Sequence, residues 1–293
     1  MEYIEHEFLA YILKHLKGIG NKGLLRLYAH YDLASFLSAS TLELQEIGKV
    51  GTRYRANFIA SIHSLKEHLD IFQEKFADDY FISLFHSDYP KRLLEIYNPP
   101  LGLFYQGDLS LLRKTNLAII GARDCTVYGK RVVENLVPEL IREDMVIVSG
   151  LARGIDSIAY RTCLENGGST IGVIGCGLDC YYPRENQLLQ EQVANEHLLI
   201  SEYRQGTKPL KHHFPARNRI IAGISHGICI IEAKERSGTF ITAECALNEG
   251  RDVFAVPGSC LQEHSLGCLK IIQEGAKCVY RPQHIIEEMQ NYF

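Results

Sequence analysis

Between Tyr203 and Ile231 the chain carries no Asp or Glu, while Arg204, Lys208, Lys211, Arg217 and Arg219 supply cations and Phe214 places a ring among them. Cations neutralise phosphates, and an aromatic face between them stacks on an unpaired base. The pattern therefore suits single-stranded nucleic acid. The same run also reads as a solvated basic loop ahead of a buried strand, because charge runs are commonly surface faces.

A second set of residues is defined by glycine. Apolar segments run into Gly121-Ala-Arg123, into Ser149-Gly-Leu-Ala-Arg-Gly-Ile-Asp156, into Gly175-Cys-Gly-Leu-Asp179, into Glu232 followed by Ser237-Gly-Thr239, and into Pro257-Gly-Ser259. Glycines at one sheet edge, ahead of helix starts, leave backbone N–H groups open to an anion. The alternative is that they only shape turns.

Several chemistries lack their residues. No Gly-x-x-x-x-Gly-Lys-Ser/Thr is present, which disfavours a P-loop ATPase. The turn Gly121-Ala-Arg-Asp-Cys125 lacks the Gly-x-Gly-x-x-Gly of nicotinamide binders. Cys176 and Cys180 have no second Cys/His pair at ligand spacing, so no metal is expected. No serine sits in a nucleophile elbow, and no catalytic set emerges.

The elements that would position these residues follow from periodicity. Residues 1–78 read as a small helical domain from Phe8-Leu-Ala-Tyr-Ile-Leu13, Leu24-Leu-Arg-Leu-Tyr28 and Phe58-Ile-Ala-Ser-Ile-His-Ser-Leu65. Two glycine turns separate them, Lys17-Gly-Ile-Gly20 and Ile47-Gly-Lys-Val-Gly51. Each looks like the Gly-h-Gly turn of a helix-hairpin-helix, with Lys22 and Arg53 following. The plainer reading is a helical bundle with tight turns. Residues 79–293 form the second expected domain. Short strands are expected at Phe81–Phe85 and Leu101–Tyr105. Strand, turn and helix then alternate from Asn116 on, and the near-continuous apolar strands are those of a doubly wound parallel α/β sheet.

Composition bounds the rest. The chain has 293 residues, enough for one large core and a smaller domain, and a formal net charge of −4. Any nucleic-acid binding must therefore come from a local patch. Nine cysteines in apolar contexts suit reduced thiols. No signal peptide or membrane-spanning run is evident, so a cytoplasmic location is expected.

The motifs Gly121-Ala-Arg, Ser149-Gly-Leu-Ala-Arg-Gly-Ile-Asp, Gly175-Cys-Gly-Leu-Asp-Cys-Tyr-Tyr-Pro-Arg-Glu-Asn, Phe214-Pro-Ala-Arg-Asn-Arg-Ile-Ile-Ala-Gly, Ser237-Gly-Thr-Phe-Ile-Thr-Ala and Val253-Phe-Ala-Val-Pro-Gly together resemble the DprA/Smf family, the DNA-processing proteins of natural transformation. The resemblance covers roughly residues 80 to 280. It implies an extended Rossmann-like domain, with a small sterile-alpha-motif-like helical domain before it. It also implies single-stranded DNA binding without catalysis or cofactor, homodimerisation, and loading of the recombinase RecA. Many members carry a C-terminal winged-helix domain, which is not expected within this sequence. Carried over by position, the DNA pocket falls on Arg123, Arg184, Lys211 and Phe214. Gly150, Gly154, Gly175, Gly177, Ser237, Gly238 and Thr239 would let backbone approach phosphate. Arg217 and Arg219 are either DNA contacts or wall residues paired with Glu202 or Glu232. Ala122 stands where the family usually has serine. The family's dimer contact points to the late segment, with Leu269, Ile272 and Cys278 as candidates.

Two other functions compete. Related Rossmann-like proteins hydrolyse nucleotides with Gly-Gly-x-Gly-Thr-x-x-Glu. Here Thr242 occupies the place of that Glu, and the nearest acid, Glu244, is rotated away on a helix that turns about 100° per residue. The other is a scaffold that binds nucleotide as a signal.

Overall fold

The computed structural model describes residues 2–235 and 237–292. Six helices come first: α1 (Glu2–Lys14), α2 (Asn21–His30), α3 (Leu33–Ser38), α4 (Thr41–Gly48), α5 (Arg55–Glu67) and α6 (Leu69–Asp78). The three apolar segments read from the sequence fall on α1, α2 and α5. The short α3 and α4 begin at side-chain caps instead. Asp32 accepts from the Ser35 N–H while the Ser35 hydroxyl accepts from the Asp32 N–H, and Ser40 accepts from the Glu43 N–H. Each such cap is worth about 1 kcal/mol.

The remaining elements alternate. They are β1 (Phe81–Ser83), α7 (Lys91–Leu94), β2 (Gly102–Gly107), β3 (Asn116–Ile120), α8 (Val127–Arg142), β4 (Val146–Ser149), α9 (Ile155–Glu165), β5 (Thr170–Ile174), α10 (Gln187–Glu196) and β6 (Leu198–Ser201). Then come α11 (His213–Ile224), β7 (Gly227–Ile230), α12 (Gly238–Asn248), β8 (Asp252–Ala255), α13 (Glu263–Gln273), β9 (Lys277–Cys278) and α14 (Gln283–Met289). One sheet holds all the strands in the order β1-β2-β6-β5-β4-β3-β7-β8-β9. Strands β3 to β9 are parallel, and β2 joins them antiparallel along β6. The chain winds from β3 one way to β6, then crosses to β7 on the other side of β3. That reversal opens a crevice beyond the carboxyl ends of β3 and β7, where doubly wound sheets bind ligands. The fold is the Rossmann-like doubly wound sheet that the strand pattern implies.

Alternate residues explain the unbroken apolar strands. Leu117 and Ile119 pack with α8, α9 and α14, while Ala118 and Ile120 pack with α11, α12 and α13. A third apolar cluster joins Leu9, Leu13, Leu27, Phe36 and Phe58 of the helical segment to Phe81, Phe104, Leu151 and Leu199 of the sheet. Polar contacts cross the same seam. The Glu7 carboxylate accepts from the Ser83 N–H at 2.9 Å and hydroxyl at 2.6 Å, and the Tyr11 hydroxyl donates to Asp79 at 2.6 Å. Among the described residues, no helix is long and apolar enough to cross a membrane.

Candidate nucleic-acid interface

The acid-free stretch folds as a turn followed by α11. A residue before proline disfavours helix, so Phe214 ahead of Pro215 is expected outside one. The structure corrects this: α11 starts at His213, with Phe214 and Pro215 in its first turn. Proline is tolerated there because a first-turn N–H has no intrahelical partner to lose. The helix start aims the Phe214 ring into the crevice, and Lys211 lies just before it.

Farther along α11 the two arginines turn away from solvent. Arg219 donates through Nη2 to both Glu202 carboxylate oxygens, at 2.7 and 2.9 Å, and Lys14 of α1 stands 3.8 Å from the same carboxylate. Its charge is already compensated. Arg217 is 5% exposed and donates through Nη1 to the Val173 carbonyl at 2.8 Å; its Nε has no partner. Asp156 supplies the nearby negative charge and accepts from the Gly150 and Ala152 N–H groups at 3.2 and 3.4 Å. Burial pushes the Asp156 carboxyl up, with Arg217 pulling it the other way. Of the two roles open to this pair in the sequence, Arg219 has the contacts of a wall residue. Arg217 forms part of the crevice floor.

The strand-end glycines divide by environment. A side chain on Gly150 would run into the Arg217 guanidinium, and Gly154 holds φ +70° against the Ala122 carbonyl. Gly177 packs on Asp179 and Arg204, and Gly175 lies near His213. Gly150, Gly154 and Gly177 therefore have packing reasons to be glycine, whereas a side chain on Gly175 would meet His213 only at ordinary contact distance. Gly238, at the start of α12, faces open space.

Two joined depressions, of about 940 and 610 Å³, occupy the crevice and share Arg123, Asp124, Ala152, Tyr182, Phe214 and Arg217. Lys211, Ser237, Gly238 and Thr239 line the smaller, and Arg184 and Gly150 the larger. Phe214 stands between them. The Tyr182 ring lies 5.2 Å from it and the Arg123 guanidinium 5.8 Å from its centroid. Arg123, Arg184 and Lys211 are exposed. Among the described residues, none of the three forms an ion pair. Neighbouring cations differ. Arg153 pairs with Glu185 at 2.6 Å, and Lys234 with Asp124 at 3.0 Å.

The turn carrying Arg123 is held from the switch point. The Glu232 carboxylate, just past β7, accepts from the Thr126 N–H at 2.8 Å and hydroxyl at 2.5 Å. Gly129 lets that carboxylate lie against α8, since any side chain there would strike it. Sequence reasoning missed Glu232 in this role and Tyr182 as a crevice ring. For Tyr182 a signal was present, a tyrosine beside Arg184 in Tyr-Tyr-Pro-Arg. For Glu232 only the long-range fold reveals the partner.

The crevice offers charge and a stacking face. Thr242 lines it, whereas Glu244 is exposed on another face of α12. Cys180 lines it as well, but burial pushes its thiol up and keeps it protonated. Outside the crevice lining, Leu269 and Ile272 of α13 are half-buried, and Cys278 is exposed on β9, the outermost strand.

Comparison with known proteins agrees in extent with the sheet-bearing part. The family model for DNA recombination-mediator protein A matches residues 80–290. The DNA processing protein DprA of Streptococcus pneumoniae is 48% identical over 241 residues, 82% of this chain and 84% of that protein. DprA of Bacillus subtilis is 47% identical over 209 residues, 71% of this chain and 70% of that protein. The X-ray structure of the Streptococcus pneumoniae protein superposes with a TM-score of 0.85 at 42% identity, covering 96% of this chain and 97% of that one. A Helicobacter pylori DNA processing protein A structure, described for its single-stranded DNA binding mode, gives 0.65 at 31% identity, covering 73% and 97%.

Proposed function

The chain belongs to the DNA recombination-mediator protein A family, the family of the DprA and Smf proteins, and from that premise we propose that it binds single-stranded DNA in the crevice without cutting or altering it. The observation that carries this is the Phe214 ring, half-buried beside Tyr182 and Arg123 between three unpaired cations. A base entering the crevice stacks on the ring, and Arg123, Arg184 and Lys211 take the flanking phosphates. Ser237, Gly238 and Thr239 offer backbone and hydroxyl donors at the start of α12. Arg217 acts from beneath the site, and Arg219 holds α11 to β6.

In the cell this activity corresponds to protecting incoming DNA in the cytoplasm and loading RecA during transformation. Residues 1–78 would form the helical domain and 79–293 the DNA-binding domain. The active form would be a homodimer joined near Leu269, Ile272 and Cys278. No cofactor enters this reading. The test titrates labelled oligo-dT and a duplex of the same length across a salt series, with the native chain and with Lys211→Glu. Preference for oligo-dT that Lys211→Glu abolishes supports the assignment. Equal affinity for the two forms refutes it. Release of free base from nucleoside monophosphates would instead favour the nucleotide hydrolase.

A further inference from the structure

The two glycine turns of the helical segment come together in the fold, and the crevice reading leaves them unused. They line one open depression of about 450 Å³ with Lys22, Arg26, Lys49, Tyr54 and Asn98. Gly23 and Gly48 make the meeting possible. A side chain on Gly23 would strike the Gly48 carbonyl, and one on Gly48 would crowd Ile19. Gly20 and Gly51 are different. A side chain on Gly20 would meet nothing within 4 Å, and one on Gly51 only the edge of Tyr54 at 3.9 Å. Neither has a positive φ. Packing therefore does not require glycine at either place. The first N–H groups after each turn have no side-chain cap.

Charge points the same way. Lys17, Lys22, Arg26, Lys49, Arg53 and Arg55 surround the turns. Among the described residues, none of them forms an ion pair. No acidic side chain lines the depression. Lys22 donates to the Tyr97 hydroxyl at 2.9 Å and Arg26 to the Gly48 carbonyl at 3.3 Å, both uncharged partners. In a chain whose net charge is −4, three cations lining one depression, with Lys17, Arg53 and Arg55 close by in sequence, form a strongly local field. The occupant is a polyanion. The rings at the rim already carry cations: Lys22 lies 4.2 Å from the Tyr97 centroid and Arg53 5.7 Å from that of Tyr54.

We propose that the paired glycine turns at Gly18–Gly20 and Gly48–Gly51 form a second DNA site, which takes the phosphate backbone of a duplex while the crevice takes a single strand. The two turns repeat one contact, each giving glycine backbone and adjacent cations to a phosphate. Binding there is independent of sequence and depends strongly on salt.

The test uses the full chain with Lys22→Gln and Lys49→Asn combined. Asparagine suits the left-handed backbone of Lys49, at φ 52°, so the double variant is expected to fold; its thermal unfolding is compared with the native chain first. A labelled blunt duplex and labelled oligo-dT are titrated over a salt series, with Phe214→Ala as the crevice control. Loss of two duplex contacts lowers the slope of log affinity against log salt by about 1.8, and weakens duplex binding roughly 30-fold near 0.15 M salt if the effect vanishes near 1 M. Oligo-dT binding stays unchanged in the double variant. A native chain that does not bind duplex, an unchanged duplex slope, or an equal loss of oligo-dT binding overturns the proposal. If the double variant unfolds, Lys22→Gln alone at its exposed position is expected to lower the slope by about 0.9, and no change there overturns it equally. Oligo-dT binding that Phe214→Ala does not weaken counts against the crevice assignment and leaves this site untouched.

Discussion

Replacing Phe214 with alanine and replacing Arg123 with alanine remove two neighbours 5.8 Å apart, yet they remove different physics. Base–aromatic stacking is worth about 1–3 kcal/mol per base, so Phe214→Ala weakens oligo-dT binding by roughly 5- to 150-fold. Stacking releases few counterions, and that factor stays constant as salt rises. Arg123 is exposed and unpaired, so its loss forfeits one phosphate contact and about 0.7 of salt slope on a single strand. Between about 50 and 200 mM salt, the gap between native and Arg123→Ala affinities therefore narrows by roughly 2.6-fold, while the Phe214→Ala gap holds. Arg123 also lies over the Phe214 ring, a cation–π contact of about 0.5–1 kcal/mol at an exposed site, so its deletion carries a small salt-independent loss as well. Fluorescence anisotropy at four or five salt concentrations separates the two patterns. Equal slope changes in both variants, or no loss in Phe214→Ala, would show that the ring and the guanidinium do not share one strand.

Three further outcomes follow from the supports of the crevice. Glu202→Gln leaves the Arg219 guanidinium and the Lys14 ammonium without their shared carboxylate at a site where all three are largely buried, and should cost about 3–5 kcal/mol in urea unfolding; a change below about 1 kcal/mol would mean that solvent reaches these charges. Gly150→Ala drives a methyl group into the Arg217 guanidinium and should cost about 1–3 kcal/mol together with weaker oligo-dT binding, whereas a neutral result would show that Arg217 has room to move. Burial pushes His15 and His226 down from 6.5 to about 4, so both stay neutral in the folded chain. Because their folded values lie below the unfolded one, their share of stability is whole above pH 6.5 and is lost as pH falls from 6.5 towards 4. His15→Phe should flatten that decline in urea midpoints, and an unaltered pH profile would remove His15 from the account.

Much of the site was legible because the relevant signals are local. An acid-free run, glycines after apolar strands and a ring among cations survive in one dimension. What stayed hidden depends on pairs distant in sequence. Gly150 reads as a phosphate-approach glycine until Arg217, sixty-seven positions on, is seen filling its space. Arg219 stays open between DNA contact and wall residue until Glu202 and Lys14 appear beside it. Pro215 misled for a local reason. Its effect on the preceding residue disfavours helix in general, but the first turn of α11 absorbs it. Helices α3 and α4 escaped a reading based on apolar spacing because each is short and rests on a cap. The order of strands, and hence the switch point, could be expected only as a class, since periodicity carries no information about which strand neighbours which.

The seam between the helical segment and the sheet has a consequence for dissecting this molecule. Leu9, Leu13 and Phe58 share one apolar cluster with Phe104 and Leu199, and Glu7 satisfies two donors of Ser83. A fragment beginning after residue 78 would bare the rings of Phe81 and Phe104 and strip the Ser83 N–H of its acceptor. Such a fragment would be sticky for reasons unrelated to DNA, and its behaviour on a column or a gel would report that wound. Calorimetry on the intact chain should show a single cooperative transition, and the work of each half is better assigned by point substitution than by scission.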